Sequence, residues 1–278
     1  MFRYPGSKKK LKKPILNILD KEISQETERY IEPFFGSGAI GLSILSKHHD
    51  FVFNDIDIHL IAFWKSVEFY PEKLKNLIKS YFPSVESFYS FKKTLSQTET
   101  TGLEYGFMKM VLHQISYSGL GMKAGGPIGG KKQKSEYSVG CRWNSKLLCK
   151  RVDEIHNKIY KSKIDKKKSI FTCSQYQDII RKSKKNDIIY LDPPYYEIGD
   201  NLYQFSFTEE DHVKLNKAIL KTKAKWILSY NDHESVIDLY SQNSYVNRIN
   251  MTCTINGVNK KQELIITNFP IEKELLIS

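Results

Sequence analysis

The stretch that most constrains this 278-residue chain is Asp192-Pro193-Pro194-Tyr195, which follows directly on the apolar run Asp187-Ile188-Ile189-Tyr190-Leu191. The run reads as a buried strand. Neither proline can continue a central strand, so the chain must break there, at the carboxyl edge of the sheet that the run enters. In open α/β sheets that edge is where ligands bind. An acid, a rigid peptide carbonyl and an aromatic ring are thereby held together over a crevice. Such a set suits an extruded nucleobase, with the Asp192 carboxylate and the Pro193 carbonyl accepting the hydrogens of an exocyclic amine and the ring lying on Tyr195. The N6 nitrogen of adenine is a poor nucleophile because its lone pair is delocalised. Two preorganised acceptors localise that pair and stabilise the positive charge that develops on nitrogen. The plain alternative is a rigid Pro-Pro turn with Tyr195 as surface packing, and four residues alone do not separate the two.

A second signal lies upstream. Arg29-Tyr30-Ile31-Glu32-Pro33-Phe34-Phe35-Gly36-Ser37-Gly38-Ala39-Ile40-Gly41 reads as a strand, a glycine turn and a helix start. Glycines let the backbone approach a ligand closely at the amino end of a helix. Gly36, Gly38 and Gly41 fall in G-x-G-x-x-G spacing, so spacing leaves a dinucleotide open; the flanking Glu32-Pro33-Phe34-Phe35 argues against it. The next predicted strand, Phe51-Val52-Phe53, ends in Asn54-Asp55. An acid there reads ribose hydroxyls; the alternative for Asp55 is a cap on the following helix. At the amino end, Phe2-Arg3-Tyr4-Pro5-Gly6-Ser7-Lys8 precedes a predicted helix from Leu11 to Leu19 and is too polar for a signal peptide. Alone it reads as a solvated basic tail.

In this order the three motifs resemble the Dam-type DNA adenine-N6 methyltransferases, the group that runs cofactor motif, recognition domain, catalytic motif. The likeness covers residues 2–8, 29–57 and 173–268. It implies an α/β fold: a Rossmann-like S-adenosylmethionine-dependent methyltransferase sheet with an inserted, mainly helical DNA-recognition domain. Residues 1–58 and 166–278 would be catalytic and 59–165 the insertion. The implied reaction moves a methyl group from S-adenosylmethionine to N6 of a flipped adenine in a specific double-stranded DNA sequence. Asp192, Pro193 and Tyr195 take the catalytic places. Tyr4, Lys8, Phe35, Gly36, Gly38, Asp55, Asp178 and Asp192 take the cofactor places, with Tyr176 and Asp178 beside the cofactor's adenine. Arg3 falls where the family reaches toward DNA. Cytosine-N4 transfer stays open, because the amine chemistry is nearly the same, and so does a catalytically inactive DNA-binding relative. Cytosine-C5 transfer needs a thiolate, and there is no Pro-Cys pair to supply it.

The middle of the chain carries helical patterns at Leu60–Trp64, Pro71–Tyr81, Phe88–Leu95 and Tyr105–Ser116. They are followed by a glycine-rich basic segment over 116–132. Tyr117, Lys123 and Arg142 are the expected DNA contacts there, against the alternative of a flexible surface loop. Arg142-Trp143-Asn144 could also touch bases or phosphates, or Trp143 could anchor a core. Ser118 stands where the family's recognition hairpin commonly has asparagine, which leaves the target sequence open. Downstream, Thr208 caps a predicted helix, with His212 read as a helix residue rather than a base. Trp226–Asp232 reads as a strand. Tyr245–Ile255 and Leu264–Phe269 read as a terminal hairpin, with Asn256-Gly257 and Lys260-Lys261 in its connection. A formal net charge of +12 favours a polyanionic partner, here double-stranded DNA. Cys141, Cys149, Cys173 and Cys253 are scattered without CxxC spacing, which suggests the reducing cytoplasm and neither disulfides nor a metal site. No apolar run approaches membrane-spanning length. A restriction endonuclease acting on the same site is a candidate partner.

Overall fold

The computed structural model describes residues 11–45, 49–163, 168–196, 205–253 and 259–277, with side chains described outside 251–261. Arg3, Tyr4, Gly6, Lys8, Tyr203, Gln204, Asn256 and Gly257 lie outside the described residues. In chain order the elements begin with α1 (Lys12–Glu22), β1 (Arg29–Glu32), α2 (Gly41–Ile44) and β2 (Asp50–Asn54). Then come α3 (Ile58–Phe69), α4 (Pro71–Ser80), α5 (Val85–Ser96), α6 (Leu103–Ile115), α7 (Ser145–Ser162) and β3 (Phe171–Thr172). The remainder is α8 (Tyr176–Arg181), β4 (Asp187–Leu191), α9 (Glu209–Ile219), β5 (Lys225–Asn231), α10 (Glu234–Tyr240), β6 (Tyr245–Cys253) and β7 (Asn259–Thr267). The chain separates into two compact units, one holding Asp57–Cys173 and the other the described residues before Asp57 and those from Ser174 onward.

In the second unit, strands run in the order β2-β1-β4-β5-β7-β6. β1 pairs in parallel with β2 and β4, and β4 in parallel with β5. β7 runs antiparallel to both β5 and β6, so the terminal hairpin forms one edge. All five residues of β4 are buried, as a central parallel strand covered on both faces requires. Ile189, Leu191, Trp226 and Leu228 of the sheet pack with Ile179, Ile180, Leu215, Ile219 and Val236 of the helices. The order reverses between β1 and β4: β1 hands on to β2 on one side, while β4 hands on to β5 on the other. That switch point opens a crevice at the strands' carboxyl ends. The expected Rossmann-like, mostly parallel sheet is therefore present. One boundary is corrected: Lys260 and Lys261 belong to β7, paired with Thr252 and Met251, and not to the hairpin connection.

The first unit is built on α3 and α6. Nine of the twelve α3 residues are buried, which is why its pattern shows so little amphipathic contrast. Gly106 lets α6 approach closely, since a Cβ there would collide with the Phe63 main chain. Asp57 caps α3 through Leu60 N (3.0 Å) and holds Lys109 Nζ at 2.5 Å with its other oxygen. Burial would raise the Asp57 carboxyl, but the Lys109 ammonium outweighs it and holds it below its ordinary value. A second buried pair, Lys163–Glu68 at 2.9 Å, ties the exit of α7 to α3. Glu68 also takes the Ile170 amide (3.1 Å) and the Ser169 hydroxyl, so three donors satisfy one buried carboxylate. The sequence patterns missed α7, an 18-residue helix whose buried face is Leu148, Cys149, Val152 and Ile159. Asn144 caps it through Leu147 N (2.9 Å), and Trp143 packs edge-on against Tyr81 and Phe107. Those contacts make Trp143 a core anchor.

Candidate active site

Four loops of the second unit meet at the carboxyl ends of its parallel strands: residues 33–40 after β1, 55–56 after β2, 192–196 after β4 and 232–233 after β5. The first is bent by left-handed glycines, Gly36 (φ 50°) and Gly38 (φ 68°). Asp55 Oδ2 accepts the Gly36 amide at 2.8 Å and so braces the loop from the end of β2. The helix cap is Asp57, two residues on, which leaves Asp55 at the crevice. Asn54 completes the brace by donating to Pro33 O (3.1 Å) and to Ser174 O (2.9 Å). Phe35 differs from expectation in its side chain. Its ring is buried and stacked on Phe53 (4.3 Å between centroids), so only its main chain faces a ligand. The aromatic wall is instead half-buried Phe34 and Phe207 with buried Tyr176, whose centroids lie 5.2–5.7 Å apart. Asp178 sits in the first turn of α8 and pairs with Arg181 at 2.7 Å.

The Asp192–Tyr195 loop leaves β4 beside the glycine loop, because Ile189 is in register with Ile31 of β1. Asp192 is half-buried, and its Oδ1 accepts the Ser229 hydroxyl at 3.3 Å. Ser229 in turn meets Tyr190 Oη at 2.9 Å, so a buried Tyr190–Ser229–Asp192 relay fixes the carboxylate. The Pro193 carbonyl accepts no hydrogen bond among the described residues. Tyr195 donates to Glu263 Oε2 of β7, while Asn231 clamps Tyr196 by accepting its amide (3.1 Å) and donating to its carbonyl (3.3 Å). Burial first, and the Asp192 charge second, push the Glu32 carboxyl at the end of β1 well above its ordinary range. Ser229, Asn231 and Glu263 were not singled out in the sequence, and Glu32 only as part of the glycine-turn motif, because nothing local marks them as partners of this loop. His212 is buried with Nδ1 against Tyr230 Oη at 2.5 Å, and burial holds it down at about 4. A neutral, already engaged imidazole is a packing group, as its helix position suggested.

The expected DNA contacts lie in the first unit. Tyr117 is 68 % exposed, and Lys123 and Arg142 are exposed as well. The glycine-rich segment is hydrogen-bonded, closing at its base through the Ser116–Pro127 bridge, Tyr117 N to Gly126 O (3.1 Å) and Ile128 N to Ile115 O (2.8 Å). Ser118, Gly119 and Gly121 all take left-handed φ angles. The buried His113 ring bonds Gly119 O at 2.9 Å, and its pKa is held down at about 3, chiefly by burial and then by Lys109. Arg142 offers its main-chain carbonyl to Gln114 and leaves its guanidinium outside.

A glycine main chain, a carboxylate at the end of the second strand and an aromatic wall form a donor set that fits an adenosine with its ribose. A family model described as D12 class N6 adenine-specific DNA methyltransferase matches residues 4–253. The match disfavours cytosine-N4 transfer. No described helix is long and apolar enough to cross a membrane.

Proposed function

We propose how this chain, which belongs to the D12 class of N6 adenine-specific DNA methyltransferases, divides methylation of DNA adenine N6 among its residues. S-adenosylmethionine, the family's methyl donor, supplies the electrophilic carbon when bound. Gly36 and Gly38 present bare main chain to it, Asp55 takes the ribose hydroxyls, and the Phe34 side of the crevice holds the adenine, with Asp178 beside it. The loop after β4 serves the target base. Asp192 and the Pro193 carbonyl accept the two hydrogens of an extruded adenine's amine, and Tyr195 stacks on its ring. The acceptors are in place before the base arrives, so they favour the charge that develops on nitrogen without reorganising. No covalent enzyme intermediate is needed: N6 displaces sulfur from the methyl carbon as the new bond forms, and the surplus amine proton then passes to water. The observation that carries this reading is the adjacency of Asp192 to the glycine loop across the β1–β4 pair. Tyr4 and Lys8 keep the cofactor role, and Arg3 the DNA role, that the family motif implies.

Catalysis belongs in this reading to residues 1–58 and 166–278, and target recognition to 59–165, through Tyr117, Lys123 and Arg142 on duplex DNA. The exposure of those three side chains beside a hydrogen-bonded glycine loop supports the assignment. A cytoplasmic enzyme beside its DNA agrees with Cys141 and Cys149, which are in no disulfide among the described residues. Methylating one fixed sequence shields it from a nuclease reading the same sequence, so a companion restriction endonuclease belongs to the same reading. The test is Asp55→Ala. Losing a charged acceptor is expected to weaken S-adenosylmethionine binding about tenfold or more with the fold retained. Unaltered affinity by calorimetry would remove Asp55 from the cofactor site.

A further inference from the structure

At the opposite end of the same sheet the second unit has a groove of about 680 Å³. Its walls are α8 (Gln177, Ile180, Arg181) with the turn that enters β4, and the carboxyl half of α9 with the loop that enters β5. It therefore opens at the amino ends of β4 and β5, whereas the crevice lies at their carboxyl ends. Five-residue β4 puts roughly 17 Å of strand between the turn that enters it, at the groove, and the loop that leaves it, at the crevice. Seven of its twelve lining residues are cationic, against 43 of 278 in the whole chain. Three of them are held locally: Arg181 by Asp178, Lys184 by Glu28, and Lys214 by Glu210 and Asp211. Lys185, Lys217, Lys221 and Lys223 enter no ion pair among the described residues, and no acid lines the groove. Lys217 in the last turn of α9 and Lys221 just past its C-cap suit the helix dipole, but Lys185 and Lys223 lie farther from any helix end.

The walls are fixed to one another. Ser183 Oγ and Thr222 Oγ1 share a hydrogen bond of 2.6 Å across the groove, and Thr222 also takes the Ala224 amide at 3.1 Å. Arg29 holds the turn by donating to Lys182 O (2.9 Å) and pairing with the buried Asp187. The lysines are thus carried on a rigid frame. No aromatic ring lines the groove, so it offers no platform for a base and no apolar anchor for a protein side chain. Flexible ammonium groups on a fixed frame suit phosphodiesters, which are bound by charge and without sequence.

We infer that this groove holds the phosphate backbone of a second duplex DNA segment, independent of sequence, while the crevice works on the first. The inference rests on DNA as substrate and not on which crevice residues grip the base. The test mixes the enzyme at low salt with donor-labelled and acceptor-labelled copies of a short random-sequence duplex and reads energy transfer between them. Wild-type enzyme is expected to bring the two duplexes together. The variant K185Q/K217Q/K221Q/K223Q, all exposed changes, is expected to lose that signal at least tenfold while methylating saturating genomic DNA at the wild-type single-turnover rate. Its salt dependence of DNA binding is expected to be shallower by about 3 in the log–log slope. Equal bridging by both proteins, or no bridging by either, overturns the inference. So does loss of poly-L-glutamate binding with bridging intact, which would assign the groove to an acidic protein.

Discussion

Gly121 illustrates how single residues shape the surface assigned to DNA. Its φ of 56° is left-handed, and an added Cβ would fall on the His113 ring that holds the loop from beneath. Gly121→Ala is expected to cost on the order of 1–3 kcal/mol in urea unfolding; a cost near zero would mean that the loop is not held by His113. Ser118 takes φ 52° without being glycine, a region that asparagine tolerates better than serine. The departure from the family's asparagine therefore falls at a strained position. In the crevice, the pattern named Asp192, Pro193, Tyr195, Gly36, Gly38 and Asp55, because prolines, glycines and strand-ending acids punctuate the sequence visibly. It did not name Ser229 or Glu263, which reach the Asp192–Tyr195 loop from 37 and 68 residues away. Such partners are set by strand order, and no local signal carries strand order. Phe35 shows the other limit: its place in the motif was legible, but the direction of its ring was not.

Among the elements, strands were the easiest to read. β4 and β5 are short apolar runs closed by Pro-Pro or by Asn-Asp, and both lie where those runs predict. α7 was harder. Its buried residues are interleaved with Lys146, Lys150, Arg151 and Lys158, and the strongest local cue was the cap at Asn144. Asp57 at the cap of α3 and Lys109 of α6 also form a pair that only the fold reveals. Both side chains are almost fully buried, so removing one strands the other's charge. Lys109→Met is expected to destabilise the protein by about 3–5 kcal/mol. If denaturant melting instead shows a loss below about 1 kcal/mol, Asp57 has found another partner.

Across the whole molecule, the net charge of +12 reads as generic basicity until the coordinates show where it collects. One gathering lies at the amino edge of the sheet, on turns with no motif, and was invisible to motif reading. The catalytic edge was visible because its chemistry demands unusual residue types together. Both edges are products of the same arrangement, a parallel sheet whose order switches between β1 and β4 and so places side by side the loops proposed for the cofactor and for the amine. That arrangement predicts that methyl transfer depends on one carboxylate far more than binding does. The direct test is single-turnover transfer to genomic DNA by Asp192→Ala, beside its affinity for the same DNA. A rate lowered at least about a hundredfold with affinity little changed is the predicted result; transfer at the wild-type rate would contradict the account.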